Sequence, residues 1–210
     1  MTKTTLYLIR HGQTEWNLEQ KLQGHMDSPL TLDGRSQAAS LRERLKNARF
    51  DGVFSSTSPR AVMTAQIVSD WQEGSIQQLD DLKEIHMGLW EGQSISKIQR
   101  DYPDQMKHFI EAPHLYRPTG AGETYQELLK RAVRSIEGII SSCNGGTVLI
   151  VTHRMTLKTI MNYYSGKALK EMGAVADIPP ASLSKISIHD SHPCIELYGD
   201  TTHYEMSAKA

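Results

Sequence analysis

The chain carries only two cysteines, Cys143 and Cys194, in 210 residues. Their spacing fits no metal or redox motif, and a reduced cytosolic state is expected for them rather than a disulfide. Long apolar runs are also missing. None approaches the roughly 20 residues of a membrane span. The lead-in Met1-Thr2-Lys3-Thr4-Thr5 passes straight into a short apolar run that is too brief for a signal peptide. A cytoplasmic protein is therefore expected. An excess of charge of one sign is missing too. The formal net charge is −1, so nothing favours bulk attraction to nucleic acid or a membrane, and neither is expected as a partner. Any bound anion must be held by a local cluster of cations. No repeat, low-complexity tract or linker divides the chain. With 39% hydrophobic and 22% charged residues, the composition is that of a globular protein. The length suits one α/β domain with a proper core.

Hydrophobic periodicity then supplies the elements. Residues 6–9, Leu6-Tyr7-Leu8-Ile9, read as a buried strand, and the polar stretch 10–29 reads as a long loop. Residues 31–46 read as a helix capped by Thr31, with Ala38, Leu41 and Leu45 inward. Val53-Phe54 is a second strand candidate. A helix follows it, with Ser58 at the N-cap, Pro59 in the first turn, and Ala61, Ala65 and Val68 inward. Residues 79–123 read as irregular or weakly helical, given prolines at 103, 113 and 118 and glycines at 120 and 122. The strongest helix is 124–142, with Leu128, Leu129, Ala132, Val133, Ile136 and Ile140 on one stripe, stopped by Gly145-Gly146. Val148-Leu149-Ile150-Val151 is the clearest buried strand, and a helix over 155–164 follows. Residues 184–188 and 194–198 read as two later strands near the sheet edge.

Strands alternating with helices imply a mostly parallel sheet covered on both faces. In such sheets the ligand crevice lies beyond the carboxyl ends of the strands. Three predicted strand ends deliver polar or basic residues there. Arg10-His11-Gly12 follows the first strand, Ser55-Ser56 and Arg60 follow the second, and Thr152-His153 follows the strand over 148–151. Two arginines and two histidines at one edge make a compact cationic pocket. The planar arginine fork matches two phosphate oxygens at once. Arg60 also falls in a first helical turn, where free N–H groups favour an anion. Asn17, Gln23 and Ser56 can add neutral donors. Phosphoryl transfer asks mainly for positioning and for positive charge on three equatorial oxygens. A neutral imidazole is a competent nucleophile at neutral pH. Glu84 is the candidate proton donor for the leaving oxygen.

The run Leu8-Ile9-Arg10-His11-Gly12-Gln13-Thr14-Glu15-Trp16-Asn17 resembles the signature of the histidine phosphatase superfamily, the phosphoglycerate-mutase-like family. Further blocks resemble that family in the same order. They are Gln23-Gly24 with Asp27-Ser28-Pro29-Leu30-Thr31, then Ser55-Ser56 with Arg60-Ala61, then Glu84 with Gly88-Leu89-Trp90-Glu91-Gly92. Gly122-Glu123-Thr124, Val151-Thr152-His153 and Asp200-Thr201-Thr202-His203 follow. The resemblance implies a single three-layer α/β/α domain over 1–210, phosphoglycerate-mutase-like, with one antiparallel edge strand and a helical or loop cap at about 85–123. It implies His11 as nucleophile, Glu84 as general acid and then base, and Arg10, Arg60 and His153 on the phosphoryl oxygens. Asn17, Gln23 and Gly24 would contact substrate. No metal and no cofactor are implied, and the partner is a small phosphorylated metabolite bound by a monomer or a homodimer.

Two departures stand out. Arg154 follows the second histidine, where the family usually has glycine. It is expected to favour substrates with a second acidic group. Pro180 stands where asparagine is common, with only a local change expected in its loop. Mutases of this family carry two adjacent arginines in a longer insertion, whereas Arg100 and Arg117 lie well apart here. A phosphatase of broad specificity is therefore expected over a cofactor-dependent phosphoglycerate mutase. A binding module without turnover is the other alternative, disfavoured because a binder needs neither nucleophile nor acid. The segment His189-Asp190-Ser191-His192 reads as a solvated turn and not a metal cluster. His25, His86, His108 and His114 read as structural, and Lys158 and Lys170 as surface charges. Trp90, Tyr116, Leu22 and Met26 could line the substrate mouth or sit in the core.

Overall fold

The computed structural model describes residues 3–143 and 145–204. Met1 and Thr2 of the lead-in, and the outermost ends of the expected 1–210 domain, lie outside them. The first apolar run forms strand β1 (Lys3–Arg10), paired in parallel with β4 (Thr147–Thr152). On the other side of β4 lies β2 (Gly52–Ser56), and beyond it β3 (Gln77–Leu79), both parallel. β5 (Leu183–His189) runs antiparallel to β1, and β6 (His192–Asp200) runs antiparallel to β5. The order is β3-β2-β4-β1-β5-β6. Among the described strands the one that opposes the rest is β5, and it sits one place in from the edge. β3 was not apparent from sequence because its residues Gln77 and Gln78 are exposed and polar; pairing with Phe54 and Ser55 makes it a strand.

Alternate residues of the central strands feed two cores. Leu6, Leu8, Val148 and Ile150 face helices α6 (Tyr125–Cys143) and α7 (Arg154–Tyr164). Ile9, Val53, Leu149 and Val151 face α2 (Leu32–Leu45) and α3 (Pro59–Ser69). The result is three layers. Thr31 caps α2 by accepting from the Gly34 N–H at 2.9 Å. Ser58 occupies the α3 cap position without capping through its side chain. In α6 Ile139, and not Ile140, completes the buried stripe.

The polar stretch 10–29 contains the short helix α1 (Glu15–Leu18), set by a capping box between Thr14 and Asn17. Between β3 and α6 the chain forms α4 (Ile95–Asp101), α5 (Pro103–Glu111) and several single 3₁₀ turns. These helices are too short for periodicity to reveal. They pack Ile98, Met106, Phe109, Trp90 and Tyr116 against Tyr125, Leu128 and Met155 in a third core. Trp90, Tyr116 and Leu22 are therefore core residues, whereas Met26 is 48% exposed. Lys158 is not the expected surface charge. It is buried on α7. The turn between β5 and β6 is tight and exposed, with Asp190 and Ser191 both at positive φ (46° and 69°), as a two-residue hairpin requires. Among the described residues no helix is long and apolar enough to cross a membrane.

Candidate active site

The strand register places the ends of β1 and β4 side by side. Arg10 is paired with Thr152, and the His11 N–H donates to the Thr152 carbonyl at 2.9 Å. His11 and His153 thus leave neighbouring strands, with ring centroids 5.2 Å apart. The chain beyond His11 runs hard against α2. A Cβ on Gly12 would lie 2.5 Å from the Gly34 carbonyl oxygen, and one on Gly34 would lie 2.1 Å from that of Gln13. Only glycine fits at either position, which is the physical reason for the glycine after His11.

The orientation of His11 is decided by one hydrogen bond. Nδ1 lies 2.8 Å from the Gly12 carbonyl oxygen. A carbonyl only accepts, so Nδ1 carries the proton and the neutral ring presents a lone pair at Nε2. Burial holds the His11 pKa well below 6.5, and the charges of Arg60 and Arg10 lower it further. His153 is likewise held well below 6.5, by burial, then Arg60, then His11. Its Nε2 meets Ser56 Oγ at 2.8 Å, and its buried Nδ1 has no hydrogen-bond partner among the described residues.

Two buried arginines flank the histidines. Arg10 donates from Nη1 to the Ile178 carbonyl at 2.7 Å. Burial, and secondarily Arg154, lowers its pKa to about 10, so it stays cationic at neutral pH. Arg60 donates from Nη1 to Asp27 Oδ1 (2.8 Å) and the Met26 carbonyl (2.7 Å), and from Nη2 to the Gly24 carbonyl (2.9 Å). Burial lowers its pKa, and Asp27 opposes that. The Nε–H of both arginines is buried without a partner among the described residues. Buried donors of this kind call for an acceptor, and two guanidinium edges beside two imidazoles suit an oxyanion.

Glu84 is buried at the N-terminus of α7. Its Oε1 accepts from the Ile85 N–H (2.9 Å) and the Thr156 N–H (3.1 Å), with the Thr156 hydroxyl oxygen 3.2 Å away. Among the described residues Oε2 accepts only from the Met155 N–H, at 3.1 Å. One carboxyl oxygen is thus fully engaged and the other keeps a free lone pair. Glu84 is near enough to both arginines to raise their pKa values against burial.

Residues 6–201 match the model of the histidine phosphatase superfamily, branch 1. The chain belongs to the histidine phosphatase superfamily. It is similar to Bacillus stearothermophilus YhfR, with 38% identity, a TM-score of 0.90, and 95% of this chain and 98% of that one covered. It is 30% identical over 204 residues to a phosphoglycerate mutase-like protein 4 of Arabidopsis thaliana, covering 95% of this chain and 86% of the relative. A phosphoserine phosphatase from Entamoeba histolytica, solved with phosphoserine, is 26% identical with a TM-score of 0.83, covering 95% and 98%.

In this member of the superfamily the remaining sequence candidates serve in unequal ways. The Asn17 side-chain oxygen accepts from the Thr14 N–H at 3.1 Å as part of the capping box, so only its amide NH2 is left to face a ligand. Gln23 donates to Thr14 Oγ1 at 2.8 Å, leaving its buried Oε1 unpaired. Exchanging the amide oxygen and nitrogen lets the Thr14 hydroxyl donate to Gln23 and puts the NH2, a buried donor, where the unpaired oxygen stood. Gly24, at φ +53°, reaches Arg60 through its carbonyl. Arg154 is half-exposed and drawn into an ion pair with Asp177, Nε to Oδ1 at 2.7 Å, which raises its pKa against partial desolvation. Pro180 lies in the loop whose next residue, Ala181, donates its N–H to the His11 carbonyl at 3.1 Å. Asp27, Thr14, Asp177 and Arg131 escaped the sequence reading. Asp27 and Thr14 stand inside quoted motifs, but only the fold shows what they hold. Among the described residues no group of three or more His, Cys, Asp or Glu side chains could hold a metal ion.

Proposed function

We propose that this histidine phosphatase is a metal-independent phosphomonoester hydrolase working through a phosphohistidine on His11. The observation that carries the reading is the Nδ1 contact to the Gly12 carbonyl, which leaves Nε2 unprotonated beside Arg10, Arg60 and His153. In the first step the Nε2 lone pair attacks phosphorus and the phosphorus–oxygen ester bond breaks. Glu84 gives its proton, carried on Oε2, to the departing alcohol oxygen. The arginine Nε–H groups and His153 Nδ1–H take the equatorial oxygens, with Ser56 donating to His153 Nε2 in that tautomer. Asn17 and Gln23 add amide donors. In the second step Glu84 takes a proton from water, the oxygen attacks phosphorus, and the nitrogen–phosphorus bond breaks to free phosphate.

The substrates are small phosphorylated metabolites of several kinds, met in the cytoplasm. Arg100 is on the surface beside Asp101, and the Arg117 guanidinium binds the carbonyls of His114 and Tyr116. Neither forms the paired cationic arm that a mutase would use. The relative named phosphoserine phosphatase supports hydrolysis, and the name of the mutase-like relative keeps phosphoglycerate within the range of substrates. Arg154 favours esters with a second acidic group when Asp177 releases it. Turnover of p-nitrophenyl phosphate in EDTA is expected for the wild type and absent for His11→Ala. Loss of turnover in EDTA, or full turnover by His11→Ala, would overturn the mechanism. Binding of phosphate without any turnover would leave a binding module.

A further inference from the structure

The loop that carries Glu84 is held by side chains at every carbonyl from 81 to 84. Thr152 Oγ1 donates to the Leu82 carbonyl at 2.6 Å, and Thr156 Oγ1 to that of Lys83 at 2.7 Å. The His25 ring meets the Glu84 carbonyl through Nε2 at 3.0 Å, and the remaining contacts come from one residue. Arg131 of α6 donates from Nη1 to the carbonyls of Asp81 (2.8 Å) and Lys83 (2.9 Å), and from Nη2 to that of Glu84 (2.9 Å). Its two remaining donors fork onto Glu123, Nε to Oε1 at 2.6 Å and Nη2 to Oε2 at 2.8 Å. Glu123 also accepts from the His86 N–H at 3.2 Å and donates its own N–H to the His86 carbonyl at 2.7 Å. Both side chains are nearly buried, 15% and 14% exposed. Glu123 belongs to the motif Gly122-Glu123-Thr124, for which the reaction itself gives no use.

We infer that Arg131 and Glu123 are positioning residues for the proton transfer, fixing where Glu84 presents its carboxyl to the leaving oxygen. The inference rests on the reading of Glu84 as general acid. All five guanidinium N–H groups are engaged, three of them on the acid loop, and a lysine could not reproduce that planar fan. The far side of Glu84 is already tied to α7 through Met155 and Thr156. Arg131 therefore sets the backbone from one side while the helix N-terminus sets the carboxyl from the other. A shift of about 1 Å in a catalytic group costs on the order of 100-fold in rate. A loop kept by the two threonines and by the His25 ring at the Glu84 carbonyl has that freedom.

Leaving-group dependence separates positioning of the acid from general damage. An alkyl phosphate needs a proton on its leaving oxygen, whereas p-nitrophenolate leaves without one. The test measures kcat/KM for glycerol phosphate and p-nitrophenyl phosphate with the wild type, Arg131→Met, Arg131→Lys, Glu123→Gln and Glu84→Gln. This ratio reports only the steps up to loss of the alcohol, so the later attack of water does not enter. In Arg131→Met the loss on glycerol phosphate is expected to exceed that on p-nitrophenyl phosphate by about tenfold or more, a part of the roughly 10²–10⁴ that a general acid supplies. Arg131→Lys should recover little of it, and Glu123→Gln should show the same selectivity more weakly. Equal losses on both substrates in the Arg131 and Glu123 variants, while Glu84→Gln remains selective, would overturn the inference alone. Equal losses in Glu84→Gln as well would overturn the general acid itself. Should Arg131→Met fail to fold, Arg131→Lys and Glu123→Gln decide by the same ratio.

Discussion

Burial makes His11 and His153 hard to protonate, and this has two consequences that can be measured. The pKa of each lies well below 6.5 in the folded chain, whereas the unfolded chain takes up its protons near that ordinary value. As pH falls below about 6.5 the unfolded state binds more protons, so stability falls with it, by about 1.4 kcal/mol per pH unit for each histidine until the folded values are reached. Above that window the effect is absent. The Tm of the wild type should therefore drop between about pH 6.5 and 5, and His153→Gln should flatten the slope. An unaltered slope in His153→Gln would show that other groups dominate. The acid limb of kcat/KM belonging to His11 should likewise lie well below 6.5. Asp27 gives a second test on the same scale. Among the described residues it is the one carboxylate bonded to the Arg60 guanidinium, so Asp27→Asn leaves the cation in place but loosens its aim. A fall in kcat/KM of about tenfold is expected, against about 10²–10³ for Arg60→Met, since misplacing a donor costs less than deleting it. Equal losses in the two variants would mean that Asp27 decides whether the pocket folds at all.

Helix α7 concentrates several functions in one turn. Its first N–H groups hold Glu84, His153 stands at its N-cap, and Arg154 opens it. Arg154 is half-exposed and paired with Asp177, while Lys158, one turn further along, feels both charges. Asp177 thus occupies Arg154 with an internal carboxylate. Asp177→Asn should raise kcat/KM for 3-phosphoglycerate relative to p-nitrophenyl phosphate by about threefold to tenfold, the range expected for one partly exposed charge contact. Arg154→Gly should reduce the same preference. If neither variant changes the ratio, Arg154 has no part in specificity. The contact between the chain after β1 and helix α2 makes a different demand. Gly34 carries no Cβ because the Gln13 carbonyl occupies that space, so Gly34→Ala must push the segment after His11 away from α2. Overpacking of this kind costs about 1–3 kcal/mol. Both the Tm and the turnover of p-nitrophenyl phosphate should fall. A variant with a lower Tm but full activity would show that α2 gives way instead.

At the scale of the molecule, what could be read from sequence was what local pattern encodes. Arg10, His11 and His153 were legible because buried apolar runs end directly before them, and parallel strands put such ends on one edge. Arg131, Asp27 and Asp177 were not, because each partner lies far along the chain and only packing brings the pair together. β3 was hidden by its polar edge position, and α4 and α5 by their brevity. The cap they build was expected as a helical or loop segment, and its packing has a consequence for how the chain unfolds. Trp90 is fully buried, with ring centroids 5.5 Å from Tyr116 and 5.8 Å from Phe109. The same cluster continues into Tyr125 and Leu128 of α6 and Met155 of α7, next to the N–H that holds Glu84. A segment sharing its core with the helices that hold the acid cannot melt by itself. Trp90→Ala should cost about 3–5 kcal/mol, which lowers Tm by about 10 °C in a domain of this size. The loss of activity, the near-ultraviolet signal and the far-ultraviolet signal should coincide in one transition, in the variant as in the wild type. Activity lost well below the far-ultraviolet transition would instead mark the cap as a separate unit that opens over an intact sheet, and Glu84 would then be the first residue of the site to lose its place.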